Sequence, residues 1–213
     1  MKGCLALAVL LLCAVVARSD AADAKFPQGA WSVGVSGGIA FLTLADINQQ
    51  IRILNATELT RFEEIHHGGE WSADVRHALG KNFFLGVEAG GLSAVSHDQA
   101  GTDELRVRGT PAALAFGTAI DASGGVVVRV LGGLGALLDA RFEEPGAGQV
   151  NGTAFLAHVG GEIEVRVTHG LGLAATGLIR SARLTHPDNA PYDVDFSGGA
   201  VRAGLRYTFG GKP

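Results

Sequence analysis

The 213-residue sequence predicts an all-β protein, an eight-stranded antiparallel up-and-down transmembrane β-barrel with a short helix in its first long loop. Three observations predict it. After Ala30 apolar and polar residues alternate with period two, the spacing of a strand whose faces meet different surroundings. Glycine is the outlier of the composition at 32 residues, and it sits inside apolar runs, where it would weaken a helix. The alternating segments mostly match the ~9–11 tilted residues that cross a bilayer and exceed the ~5–6 of a usual globular strand.

The chain opens on Lys2 and an apolar run from Leu5 to Val16, followed by small residues with cleavage patterns at Val15-Val16-Ala17 and Ala22-Asp23-Ala24. That is the make-up of a signal peptide, here placed over residues 1–24, which leaves 25–213 as the barrel domain. The run is too short to span a membrane. Both cysteines, Cys4 and Cys13, fall within it, and the bulky Leu12 before Cys13 suits a lipidation box poorly. A cysteine-free exported chain fits a bacterial envelope better than a secreted eukaryotic domain, which would often carry disulfides.

The first strand is expected to begin Trp31, Val33, Val35 and to continue through Ile39 and Phe41. The second covers about 70–79, and the third reads Phe83, Leu85, Val87, Ala89 with Glu88 opposite. The fourth, about 104–120, changes parity near Gly109-Thr110-Pro111, where a bulge would accommodate the proline. The fifth alternates Val126, Val128, Val130, Gly132, Leu134, Ala136 and Leu138 against Arg129 and Asp139. The sixth sets Phe155, Ala157, Val159, Gly161, Ile163 and Val165 against His158, Glu162, Glu164 and Arg166. Leu171 to Ile179 forms the seventh, facing away from Thr176 and Arg180. The last places Val201, Ala203, Leu205, Tyr207 and Phe209 against Arg202, Arg206 and Thr208.

Connections alternate in length. Tight turns fall at 80–82, 122–124 and 168–170, and long loops at about 42–69, 96–103, 141–152 and 186–193. Short turns on one rim and long loops on the other is the arrangement of outer-membrane barrels. Within the first long loop Leu44, Ile47, Ile51 and Leu54 recur at helical spacing, followed by Leu59 and Phe62, which predicts a helix covering the barrel.

In hydrocarbon every backbone polar group needs an internal partner, so a spanning chain without long apolar helices must close its strands into a barrel. Apolar residues then face lipid and polar ones the lumen. By parity the lumen receives Asp74, Arg76, Glu88, Arg106, Arg108, Arg129, Asp139, Glu162, Glu164, Arg166, Arg180, Arg202 and Arg206. Every predicted strand lacks lysine, which follows from the guanidinium's fixed fork of donors satisfying two carboxylates at once. Eight strands enclose a lumen only wide enough for side chains, so these charges are expected to knit a plug. A net charge of -4 offers no basic field for nucleic acid.

The terminal stretch Val201-Arg202-Ala203-Gly204-Leu205-Arg206-Tyr207-Thr208-Phe209 resembles the last strand of bacterial outer-membrane barrels. The mature chain as a whole is similar to the small eight-stranded barrels of the OmpA, OmpX and opacity-protein type. That resemblance implies a monomer in the bacterial outer membrane, with lipid around it and possible extracellular ligands at its loops. It also implies that Leu205, Tyr207 and Phe209 form the signal read by the barrel-assembly machinery. Gly210-Gly211-Lys212-Pro213 follow the final aromatic, where the family usually ends on it.

Catalysis of the lipid A deacylase or phospholipase kind needs a serine beside a histidine. His97, His158 and His186 are the candidate histidines; His158 has no serine nearby on its face, His186-Pro187-Asp188-Asn189 lacks the serine of a His-x-Ser-Asn motif, and no catalytic residue is assigned. Glu63-Glu64-Ile65-His66-His67-Gly68-Gly69-Glu70 holds metal-ligand residue types, and Asp188, Asn189, Asp193 and Asp195 hold calcium-ligand types. Neither has the convergent spacing of a zinc or calcium site, and neither a metal nor a cofactor is expected. Asn55-Ala56-Thr57 and Asn151-Gly152-Thr153 match a glycosylation pattern without meaning in a bacterium. The expected role is structural or surface-interacting and non-catalytic, with a narrow porin-like pore as the alternative. A soluble lipocalin-like carrier is the rival fold, on the strength of Gly29-Ala30-Trp31; the final strand in place of a C-terminal helix and the missing cysteine pair speak against it.

Overall fold

The structure, a computed structural model, describes residues 29–211 apart from 58–60, 81, 124, 145–147, 169 and 188–191. The expected signal peptide, both cysteines, Leu59, Asp188 and Asn189 lie outside the described residues. The elements are β1 (Trp31–Leu42), α1 (Ala45–Thr57), β2 (His67–Ala78), β3 (Phe83–His97), β4 (Glu104–Ser123), β5 (Val126–Glu144), β6 (Gly148–Arg166), β7 (Leu171–Leu184), β8 (Val194–Asp195) and β9 (Gly198–Phe209).

From β1 to β7 each strand pairs antiparallel with the next, and β9 pairs with both β7 and β1. The result is a closed ring of eight strands, with β8 a two-residue addition along Arg183 and Leu184 of β7. Closure leaves no row of unpaired backbone groups, the condition for a sheet to sit in hydrocarbon. The tight turns gather at one rim, the turn end, where Trp31 pairs with Phe209. The other rim is the loop end.

The outer face is apolar. Phe155 and Ile179 are 68% and 69% exposed, and Val35, Val87, Leu114 and Val201 are more than half exposed. No soluble surface gains from that, whereas lipid solvates it. Trp31, Phe83, Tyr207 and Phe209 cluster toward the turn end, and Phe41, Trp71 and Phe155 lie further up the wall. On β5 the outward run from Val126 to Leu138 spans ~30 Å of height, at ~3.3 Å per residue and a tilt of ~40°. Among the described residues no helix is long and apolar enough to cross a membrane.

At the loop end one irregularity, an extra residue in β5 registered against both of its neighbours, resets which residues face inward. The β4–β5 register shifts between Arg108 and Thr110, and the β5–β6 register between Leu137 and Ala140, where Asp139 has a φ of 48°. A bulge adds one residue to one strand and so exchanges inside for outside beyond it. Consequently Asp139, expected in the lumen, stands on the outer face of the loop end. Arg106 and Arg108 stand there too, because β4 keeps its odd-numbered residues inward from Leu105 to Gly117 and does not change parity at Gly109-Thr110-Pro111 as expected. Leu105, Val107, Ala140 and Phe142 take the inner positions, each 0–1% exposed. The connection expected over 141–152 is also shorter, because β5 runs to Glu144 and β6 starts at Gly148.

These inner residues belong to an apolar core that fills the loop end of the barrel, together with Leu42, Leu92, Leu137, Leu156, Leu184 and Phe196. The helix α1 closes it. Leu44, Ile47 and Ile51 point into the core and are fully buried, at the i, i+3/i+4 spacing read in the sequence. Two asparagines fasten the segment that follows the helix. Asn48 donates to the Ile65 carbonyl at 3.0 Å and accepts from its N–H at 2.8 Å. Asn55 makes the same double exchange with Phe62, at 2.9 and 2.8 Å.

Candidate functional site

Toward the turn end the lumen changes character. Inward positions on β2, β5, β6 and β9 bring Asp74, Arg76, Arg129, Glu162, Glu164, Arg166 and Arg206 together. Glu162 is the hub. Arg76 grips both its oxygens at 3.0 Å each, Arg129 donates to Oε1 at 2.7 Å, and Arg206 donates to Oε2 at 3.1 Å. Arg206 also holds both oxygens of Asp74, at 2.7 and 3.1 Å, while Arg129 reaches Glu164 at 2.7 Å. Arg166 lies 3.8 Å from Glu164. Arg76 additionally stacks over Phe84, 4.7 Å from the ring centre. The lattice needs room, and Gly34 of β1 provides it: a Cβ there would stand 2.7 Å from an Asp74 oxygen and 3.1 Å from Arg206.

A second, smaller cluster lies between this lattice and the apolar core. Arg202 donates to Glu88 at 2.6 Å and lies 3.5 Å from Glu70, and Arg180 donates to the other oxygen of Glu70. His158 of β6 faces the same space. Glu70 was absent from the set read by parity, although Glu70, Ser72, Asp74 and Arg76 share one face of β2, and that parity is the signal that finds it.

Thus ten of the thirteen residues assigned to the lumen, Asp74, Arg76, Glu88, Arg129, Glu162, Glu164, Arg166, Arg180, Arg202 and Arg206, occupy it in two adjacent clusters. The other three form a separate set outside, on the loop-end tips of β4 and β5. There Arg108 meets Glu143 at 3.4 Å, Arg141 meets Asp139 through Nε at 3.1 Å, and Arg106 meets Glu104. Leu205, Tyr207 and Phe209 all face outward on β9, with the two rings stacked 6.1 Å apart.

The lumen is packed. Among the described residues it holds small interior cavities, of about 20, 10 and 10 Å³. The three candidate histidines sit apart: His97 lies 3.8 Å from Glu104, His186 lies 3.3 Å from Asp193, and His158 is inside the barrel. Among the described residues no group of three or more His, Cys, Asp or Glu is placed to hold a metal.

The loops carry two carboxylates built into turns. Asp98 accepts from the Asp103 and Thr102 N–H groups at 3.1 and 2.7 Å, and from the Thr102 hydroxyl at 3.1 Å. These donors hold its carboxyl below the usual range. Asp193 accepts from the His186 N–H at 2.9 Å and from Arg183 Nε at 2.7 Å, which lower its pKa in the same way. Asp195, the other described residue of calcium-ligand type in that loop, accepts instead from the Ser197 N–H at 2.9 Å.

A closed ring of eight antiparallel strands, apolar outside and packed inside, defines a transmembrane β-barrel of the outer-membrane type. Solved structures of that class are what the chain is similar to. The Ail protein of Yersinia pestis, solved with the heparin analogue sucrose octasulfate, matches with a TM-score of 0.51 at 10% identity, over 85% of this chain and 99% of that one. OprG of Pseudomonas aeruginosa matches with a TM-score of 0.45 at 9% identity, over 87% and 98%. A de novo designed transmembrane β-barrel matches with a TM-score of 0.41 at 13% identity, over 87% and 99%. At such identities the Ail likeness is one of fold. No protein-family model matches the sequence, and no curated protein matches it.

Proposed function

We propose that this protein is a surface-interaction protein of the bacterial outer membrane, non-catalytic, in which the barrel is a closed anchor and the loop end is the working surface. The packed lumen carries this reading: buried ion pairs fill one part and hydrocarbon the other, so solute has no path through. Lipid around the apolar wall is its standing partner, and Leu205, Tyr207 and Phe209 are its recognition strand for barrel assembly.

The chemistry of the loop end narrows the partner. Residues 43–66, 98–108, 139–153 and 183–197 together hold 13 acidic and 6 basic side chains, a net of −7. The Ail structure holds a polyanion. A surface this acidic repels a sulfated glycan and suits a neutral or cationic partner, at least at moderate ionic strength.

Conductance of the refolded protein in planar bilayers tests the anchor. The expected result is no steady channel in neutral salt. A stable open conductance would replace the closed anchor with a narrow porin-like pore.

A further inference from the structure

Between the ionic lattice and the apolar core lies a cavity of about 20 Å³, lined on its polar side by Glu70, His158, Arg180 and Arg202 and on its apolar side by Pro111 and Leu156. Glu70, Arg180 and Arg202 are each more than nine-tenths buried. Each presents a buried atom with no hydrogen-bond partner in the protein: Glu70 Oε1, Arg180 Nε and Arg202 Nε, joined by His158 Nε2. An unmet polar atom in such a place carries its full desolvation penalty, so four around one cavity are not a neutral feature.

We propose that this cavity is the binding site of a single ordered water molecule that completes the hydrogen bonds of the smaller cluster of the lumen. The size fits, since one water needs roughly 10–15 Å³ of such volume. The chemistry fits more tightly. Two of the unmet groups, the Nε–H of Arg180 and of Arg202, can only donate, and Glu70 Oε1 can only accept. His158 Nε2 accepts when the ring is neutral with its proton on Nδ1. A water accepts two hydrogen bonds and donates two, so it satisfies all four. The 3.5 Å between Arg202 Nε and Glu70 Oε1 is long for a direct bond and suits a shared water.

A small anion is the competing occupant. It would accept from both arginines but would leave Glu70 Oε1 facing it, and the two carboxylates Glu70 and Glu88 already balance the two arginines. The site also depends on its wall. Gly133 of β5 lies beneath the His158 ring, and a Cβ there would stand 2.4 Å from the ring carbon Cε1 and 2.6 Å from Nε2. Any side chain at position 133 would therefore push His158 across the cavity.

The test uses the refolded full-length barrel in micelles, with magnetisation transfer from bulk water to the Nε–H protons of Arg180 and Arg202 as the readout. Wild type should show a through-space signal to a long-lived water at both, and Glu70→Gln, which keeps an acceptor oxygen, should retain it. His158→Phe, which fills the cavity, should lose it. Absence of the signal in folded wild type overturns the proposal, and that arm stands even if His158→Phe does not fold. Crystals soaked in bromide give the second readout. An anomalous peak within ~3.5 Å of both Nε atoms would make the occupant an anion and overturn the water.

Discussion

The barrel wall encloses two fillings. Around Glu162 the inward side chains are charged and locked by hydrogen bonds of 2.7–3.1 Å. Around Leu105, Leu137 and Phe142 they are hydrocarbon, 0–1% exposed. The outer wall is apolar beside the first and carries charged side chains beside the second. The difference teaches what each part must do. Where lipid surrounds the wall, a polar lumen gives the barrel an inside and an outside that cannot be exchanged, because each strand then has one face fit for hydrocarbon. At the loop end the wall rises out of the apolar girdle, Arg108 and Arg141 stand on its outer face, and an apolar interior supplies the same distinction in reverse. The bulge at Leu138-Asp139 of β5 is where inside and outside change over on that strand.

The sharpest way to break this comparison is to remove the hub of the charged part. Glu162→Ala leaves Arg76, Arg129 and Arg206 facing one another with one carboxylate fewer, and it should cost ~3–5 kcal/mol. Urea unfolding in detergent, followed by the mobility of unboiled protein on gels, reads the loss. A cost under ~0.5 kcal/mol would mean that the lumen is wet and the pairs behave as surface pairs.

Hydrocarbon at the other end should respond to a change of size rather than of charge. Ile51→Ala removes a fully buried α1 side chain from the core and is expected to cost ~2–5 kcal/mol if the helix is an integral part of the folded barrel. If α1 is a detachable lid, the same substitution should leave the unfolding midpoint of the barrel unchanged and alter only the exchange rates of amides in the helix. The contrast between Glu162 and Ile51 therefore asks whether the two fillings belong to one cooperative unit.

The same division explains what was legible in the sequence. Eight strands, their order, the helix and the alternation of turns and loops follow from period-two runs bounded by glycine and polar turns. Ten lumen residues follow from parity where one face is charged and the other apolar. The reading fails at Arg106, Arg108 and Asp139, where the interior turns apolar. There Leu105, Val107 and Phe142 look equally fit for lipid and for core, so alternation no longer says which face is which. Pro111 suggested a bulge on β4, but that strand keeps one parity through it. The bulge lies instead on β5, in Leu137-Leu138-Asp139-Ala140, where no proline or glycine announces it. The water site was beyond reach of pattern, since Glu70, His158, Arg180 and Arg202 come from four strands and meet only through the ring's registers.

The smallest effect sharpens the comparison by testing whether the loop turns are a third, independent region. Asp98 and Asp193 have carboxyls held below their ordinary range, by the Asp103 N–H in the first case and the His186 N–H in the second. A carboxylate whose pKa is lower folded than unfolded contributes stability above its unfolded value of ~3.9 and loses it as pH falls through the folded value. Acidification from pH 5 toward pH 3 should therefore loosen the turn at 98–103 and the Arg183–Asp193–His186 contact while strand content holds. The nitrogen and proton shifts of Thr102 and Asp103 report the first step directly, because both N–H groups donate to Asp98. Their midpoint is expected below ~3.9, and Asp98→Asn, which keeps an acceptor oxygen but cannot titrate, should abolish the transition. A midpoint above ~4 would mean that these donors do not hold the carboxylate. Strand signal lost at the same pH as the loop signal would mean that the turns and the lumen unfold together, and the loop end would then be part of the barrel's own cooperative structure.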